Sequence, residues 1–143
     1  MTRLYFAYGS NINPEQFASR CPASRFIGRA TLHGYRFIIT VRGYASVVPE
    51  PGAVVHGVMA ELTPRDERTL DRCEGVAVGI YRREMLRVRP DDGREAIALV
   101  YVDNESRIGI PKEGYLERIL EGARYHGLTG GAIQGFEAWA GKC

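Results

Sequence analysis

Two short stretches of this chain hold residue types that could do chemistry. In Asp71-Arg72-Cys73-Glu74-Gly75-Val76, a carboxylate falls at the C-terminal end of a helix predicted over residues 64–73. Stability alone would favour Lys, Arg or His there, because the helix dipole places partial negative charge at that end. The same field raises the pKa of Glu74, which is the direction that suits a general base working near neutral pH. The ordinary alternative is a solvated helix-end glutamate. The second stretch is Leu4-Tyr5-Phe6-Ala7-Tyr8-Gly9-Ser10-Asn11, an apolar aromatic run that stops in Gly-Ser-Asn. It reads as a buried strand ending in a tight turn. Asn13-Pro14-Glu15-Gln16 follows as a helix start, with Asn13 the N-cap and Gln16 able to reach back in a variant of the capping box. A glycine loop between a strand end and a helix start presents backbone N–H groups to an anion, a carboxylate or a phosphate. Its ordinary alternative is a simple connector.

Other candidates are weaker. A Ser-His-Asp set is arithmetically available from Ser10, Ser46, the 3 histidines and several aspartates, but no G-x-S-x-G elbow accompanies it. His56 alternates with Val54 and Val58, as a satisfied core histidine would. Cys73 beside a carboxylate and at a helix C-terminus is disfavoured as a thiolate and reads as a small buried residue. Tyr81 and Tyr115 fit two readings, core rings with surface hydroxyls or pocket walls that use the ring for shape and the hydroxyl as donor.

The elements that must position these residues are mostly strands. Extended segments are predicted over residues 4–8, 25–32, 35–41, 44–48, 54–62, 81–89 and 94–102, roughly six or seven short strands. Pro49-Glu50-Pro51-Gly52 demands a turn or a sheet edge between two of them, and Pro90-Asp91-Asp92-Gly93 turns a hairpin. Helices are predicted over 14–20, over 64–73 with Thr63 as N-cap and Gly75 as left-handed terminator, and over 112–125 from the spacing of Leu116, Ile119, Leu120 and Ala123. A shorter helical segment over 132–140 carries Trp139. The pattern is that of a single α+β domain over residues 1–143 with a largely β core, a small barrel closed to protect its edges.

With 143 residues, 45% hydrophobic and 25% charged, the chain has the composition of a soluble globular domain with a real core. A net charge of +2, with arginines scattered among acids, does not suggest nucleic acid. Neither a signal segment nor a membrane-spanning run is evident, so a cytoplasmic location is expected. Cys21, Cys73 and Cys143 are odd in number and far apart, which supports neither a disulfide framework nor a zinc site. Absent a βαβ alternation or a phosphate-binding glycine motif, nucleotide folds are disfavoured.

Taken in register, Tyr5-Phe6-Ala7-Tyr8-Gly9-Ser10-Asn11, Ala45-Ser46-Val47-Val48-Pro49-Glu50-Pro51-Gly52, Val55-His56-Gly57-Val58, and Glu74-Gly75-Val76 with Tyr81 shortly after resemble the γ-glutamylcyclotransferase (AIG2-like) family in order and approximate spacing. The resemblance is clear over residues 4–88 and looser around Tyr115; the segment from Thr129 on carries no match. It implies a small mixed β-barrel flanked by helices, and an enzyme that turns a γ-glutamyl amide into 5-oxoproline and a free amine without cofactor or metal. It implies that Glu74 is the essential acid, that Tyr8, Gly9, Ser10 and Asn11 form the loop holding the glutamyl α-carboxylate, and that Tyr81 and Tyr115 line the pocket. Ile12 stands where the family commonly has Leu. The partner implied is a small γ-glutamyl compound, with no nucleic acid and no membrane; a homodimer is left open, and so is the leaving amine. Two other readings share the pocket: a cyclotransferase that removes a γ-glutamyl protecting group from a biosynthetic intermediate, and a non-catalytic binding module. All of them except the last require the glycine loop and Glu74 to open onto one cavity.

Overall fold

The computed structural model describes residues 1–140. The described residues form five strands, β1 (Arg3–Ala7), β2 (Arg25–Ile39), β3 (Ala45–Leu62), β4 (Tyr81–Pro90) and β5 (Ala96–Asp103), and four helices, in the order β1-α1-β2-β3-α2-β4-β5-α3-α4. The helices are α1 (Pro14–Arg20), α2 (Pro64–Cys73), α3 (Tyr115–Tyr125) and α4 (Gly130–Glu137), and one-turn 3-10 segments sit at Ser10–Ile12 and Val76–Val78. The strands close into a barrel in the order β1-β3-β2-β4-β5. Every pairing is antiparallel except β1 with β5, where Tyr5 faces Leu99 in parallel, so the barrel is mixed. Closure gives every strand two neighbours. β5 is buried on both faces from Ala98 to Asp103.

Two of the expected strand boundaries are internal irregularities instead. The segments expected over 25–32 and 35–41 form one strand, β2, whose register shifts between His33 and Tyr35. Across from that shift, the proline-rich stretch opposite Gly34 bulges outward, and β3 runs continuously from Ala45 to Leu62. The prolines lack the N–H that a ladder needs, so the chain leaves the sheet there, but the strand resumes against the same partner. Residues Pro49 to Gly52 are accordingly exposed.

Capping chemistry fixes the helices that flank the site. Asn13 Oδ1 accepts from the N–H groups of Glu15 (3.0 Å) and Gln16 (3.3 Å), and Pro14 occupies the first turn of α1. Thr63 Oγ1 caps α2 by accepting from Asp66 N–H at 3.2 Å, a bond that stabilises the helix by about 1 kcal/mol. α3 begins at Tyr115, later than the expected residue 112, because Gly114 ahead of it has φ +80° and breaks the helical path. In the C-terminal segment, Thr129 caps α4, and Phe136 and Trp139 pack on Phe37 of β2 with ring centroids 5.0 Å and 6.2 Å away. Cys143 lies outside the described residues. Among those residues no helix is long and apolar enough to cross a membrane.

Candidate active site

Glu74 directly follows α2, and its backbone is held on both sides. Its N–H donates to Leu70 C=O at 2.8 Å, and its own C=O accepts from Tyr81 N–H at 3.2 Å. Gly75 then turns the chain at φ +63°, and a Cβ there would meet Ile80 Cδ1 at 2.8 Å, so both the conformation and the space call for glycine. The side chain is treated differently. It is half-buried, and no hydrogen bond or ion pair from a described residue reaches its carboxylate. Burial therefore raises the carboxyl pKa to about 7, with Arg20 acting to lower it and Asp103 to raise it further. The direction is the one read from the helix dipole, but the dominant cause is desolvation.

The loop after β1 is set by α3. Gly122 of α3 presses its backbone against the turn; a Cβ on it would meet Asn13 N and the Ile12 carbonyl carbon at 2.7 Å. Asn13 Nδ2 donates to Arg118 C=O at 3.1 Å, and His126 Nε2 lies 2.9 Å from Ile12 C=O. The 3-10 turn uses Ile12 N–H on Gly9 C=O and Asn13 N–H on Ser10 C=O. The N–H groups of Ser10 and Asn11 stand ahead of those bonds, as donors at the start of a helical turn do, that of Ser10 reaching Tyr115 OH. Asn11, 5% exposed, fastens the loop from inside: its Nδ2 donates to Tyr5 OH at 3.0 Å, and its Oδ1 accepts from Gln16 Nε2 (2.9 Å) and Arg20 NH1 (3.0 Å). Gln16 does not reach back to the cap as a capping box would; its Nε2 is spent on Ser10 Oγ (2.7 Å) and Asn11.

The loop and Glu74 open onto one cavity of about 360 Å³, whose wall contains all seven residues singled out from the sequence: Tyr8, Gly9, Ser10, Asn11, Glu74, Tyr81 and Tyr115. Among the described residues, Glu74 is the sole carboxylate on that wall. The tyrosine hydroxyls divide by what they touch. A phenol facing a carbonyl must donate to it, so Tyr8 OH is committed to Tyr101 C=O (2.6 Å) and Tyr81 OH to Ala45 C=O (2.7 Å). Tyr5 OH accepts from Asn11 Nδ2, which leaves its proton for an incoming acceptor, whereas Tyr115 OH accepts from Ala45 N–H at 3.1 Å and is also hydrogen-bonded with the backbone and side chain of Ser10. Burial pushes all four hydroxyls above the ordinary tyrosine pKa, so they stay protonated.

The same wall holds residues that the sequence did not mark: Tyr5, Gln16, Arg20, Tyr44, Tyr101 and Arg118. The alternation of β1 and β5 separates their two faces without saying which of them a cavity occupies; only the parallel β1/β5 pairing brings Tyr5 and Tyr101 together, with ring centroids 5.8 Å apart. Cys73, expected to be buried, is exposed and borders the cavity: it lies at the last position of α2, past the stretch of that helix that packs through Asp66 and Leu70. His56 is half-buried rather than in the core and borders a separate groove with Phe37 and Trp139. The buried face at the start of that half of β3 is the Val55 and Gly57 face.

A family model described as gamma-glutamyl cyclotransferase, AIG2-like, matches residues 5–137. The chain is 29% identical over 135 residues to the gamma-glutamylcyclotransferase of Homo sapiens, a match covering 87% of this chain and 72% of that protein. It is 30% identical over 137 residues to the Mus musculus protein of the same name, covering 89% and 73% respectively. A solved structure named gamma-glutamyl cyclotransferase superposes with a TM-score of 0.91 at 26% identity, covering 97% of this chain and 88% of that one.

Proposed function

The chain belongs to the gamma-glutamyl cyclotransferase, AIG2-like family, and on that premise we propose that it converts a γ-glutamyl amide into 5-oxoproline and a free amine, with Glu74 as general base and then general acid. The observation that carries this reading is the shared cavity of the glycine loop and one unpartnered carboxylate with a pKa of about 7.

The chemistry follows from the substrate. Its α-amine and γ-carbonyl belong to one molecule, so a pocket that folds the glutamyl chain back gains the rate advantage of an oriented intramolecular attack. Loop N–H groups at Ser10 and Asn11 hold the α-carboxylate, and the ammonium beside it faces Glu74. Glu74 removes a proton from the ammonium, the free amine adds to the γ-carbonyl, and the five-membered ring closes. Collapse of the tetrahedral intermediate breaks the amide C–N bond as Glu74 returns its proton to the departing nitrogen, and the ring nitrogen then gives up its second proton through the same carboxylate to the released amine, leaving the lactam N–H and an ammonium product. The oxyanion formed on the way needs donors not already spent; Tyr5 OH meets that condition, whereas Tyr8 and Tyr81 are committed to carbonyls and shape the wall, and Tyr115 is tied to Ser10 and Ala45. A cytoplasmic setting is compatible with the free thiols of Cys21 and Cys73.

The test is product analysis on purified protein with γ-glutamyl dipeptides, γ-glutamyl amines, and the same compounds N-acetylated on the glutamyl nitrogen. 5-Oxoproline is expected from unblocked substrates only. Cleavage of the acetylated compounds would replace cyclisation by hydrolysis, and no product from any unblocked compound would favour the binding module.

A further inference from the structure

We propose that Arg20 is a positioning residue of this site, its guanidinium tying the glycine loop to the base by holding Asn11 with one nitrogen and setting an uncompensated positive charge against Glu74. The proposal rests on Glu74 being the base.

Arg20 is the last residue of α1, half-buried, and on the wall of the same cavity as Glu74. Its NH1 donates to Asn11 Oδ1 at 3.0 Å. No ion pair joins it to a carboxylate of the described residues, whereas eleven other arginines are so paired. A guanidinium partly removed from water and left without a counter-charge is costly unless something nearby compensates. The acid available on the cavity wall is Glu74. An arginine in the last turn of a helix is also favoured by the dipole, but that role is met by a solvated side chain and needs no inward bond to Asn11.

The groups facing Glu74 from the surrounding elements are Tyr5, Tyr8, Tyr81, Tyr115, Asp103 and Arg20. The four tyrosines are neutral. Asp103 opposes ionisation of Glu74; its carboxyl oxygens accept from Thr40 Oγ1 at 3.3 Å and Glu105 N–H at 2.8 Å and lie 3.8 Å from Arg42 Nε. Arg20 alone favours the carboxylate. The other cation on the cavity wall, Arg118, is exposed and donates to Gln16 Oε1 at 3.0 Å. Without Arg20, burial and Asp103 would keep Glu74 protonated at neutral pH, unable to accept the ammonium proton. Because the same guanidinium holds Asn11, the loop that orients the substrate and the base that activates it are set by one side chain.

The experiment is a titration of Glu74 followed by carboxyl-13C NMR in glutamate-labelled protein, with its resonance assigned by loss in Glu74→Gln. It is run on wild type, Arg20→Gln, Arg20→Met and Arg20→Lys beside kcat/KM-against-pH profiles for γ-glutamyl-alanine. Arg20→Gln keeps a donor for Asn11 without the charge, so it isolates electrostatics from loop anchoring. The Glu74 midpoint is expected to rise by roughly one pH unit in Arg20→Gln and Arg20→Met and to stay near wild type in Arg20→Lys, with the acid limb of kcat/KM moving in step. An unchanged or lower midpoint in Arg20→Gln, with the wild type active, overturns the role of Arg20 alone. A raised midpoint with an unmoved acid limb overturns Glu74 as the base, and the positioning role with it.

Discussion

The two ends of α2 carry acids under opposite terms. At its start, Asp66 Oδ2 accepts from Ala23 N–H (2.9 Å) and Ser24 Oγ (2.6 Å), and Ser24 Oγ in turn accepts from Thr63 N–H at 3.1 Å. Glu67 one residue on is paired with Arg83 at 2.6 Å and Arg3 at 3.3 Å. These charges sit where the dipole favours them, and both carboxylates have donors, those of Asp66 all on Oδ2 while its Oδ1 is buried without one. At the other end, Glu74 sits against the dipole, faces a cavity and has no such partner among the described residues. One helix thus separates an acid that holds the fold from an acid left available to a substrate. Donors on a carboxylate stabilise its charge and weaken it as a base; a carboxylate without them costs stability and gains basicity.

Exchanging these terms gives the largest expected effects. Glu74→Gln should lower kcat by about 10²–10⁴-fold, the range for a lost general base, while the circular dichroism spectrum is unchanged. Asp66→Ala should do the reverse, lowering unfolding free energy in urea by roughly 2–3 kcal/mol through its stranded donors and leaving kcat/KM of the folded protein unchanged. If Asp66→Ala were catalytically dead while folded, the division between the two ends would be wrong. Gly75→Ala should cost about 1–2 kcal/mol in thermal melts from the left-handed conformation alone, and the contact with Ile80 should displace Glu74 and lower kcat as well.

The smallest effect is one of sign. A glutamate whose pKa rises from the ordinary 4.5 to about 7 on folding binds more protons in the folded state between those values, so its contribution to stability falls as pH rises from 4.5 to 7 and then levels off. Glu74→Gln should therefore be more stable than wild type near pH 8, by about 1–2 kcal/mol once contact of the half-buried carboxyl with cavity water is allowed for. The difference should vanish at and below about pH 4. Urea midpoints at the two pH values read it directly.

Local signals were legible in the chain to the degree that one residue's chemistry decided them. Asn13 with Pro14, Thr63 with Pro64, and Gly75 each set a helix end, and each is where the sequence places it. The residues around Pro49 and Gly34 also read correctly as interruptions, but whether an interruption ends a strand or bulges within it depends on the partner strand, which local sequence does not contain. The site divides the same way. Tyr8 to Asn11 and Glu74 stand out by type and place, whereas Arg20 looks like an ordinary helix-end arginine and Gln16 like a capping partner. Their roles come from α1 lying across the turn that follows β1, and the place of Tyr101 from β5 pairing with β1. The cause of the raised Glu74 pKa was likewise a tertiary matter, since the dipole belongs to the helix and the desolvation belongs to the walls around it.

The central claim is that a single cavity carboxylate, poised near neutrality, moves the proton in cyclisation. The pH dependence of kcat/KM for 5-oxoproline release from a γ-glutamyl dipeptide tests it most directly. The account predicts an acid limb with its midpoint near pH 7, the pKa of free Glu74, because protonated Glu74 cannot deprotonate the ammonium. Full activity persisting down to about pH 5 would contradict it.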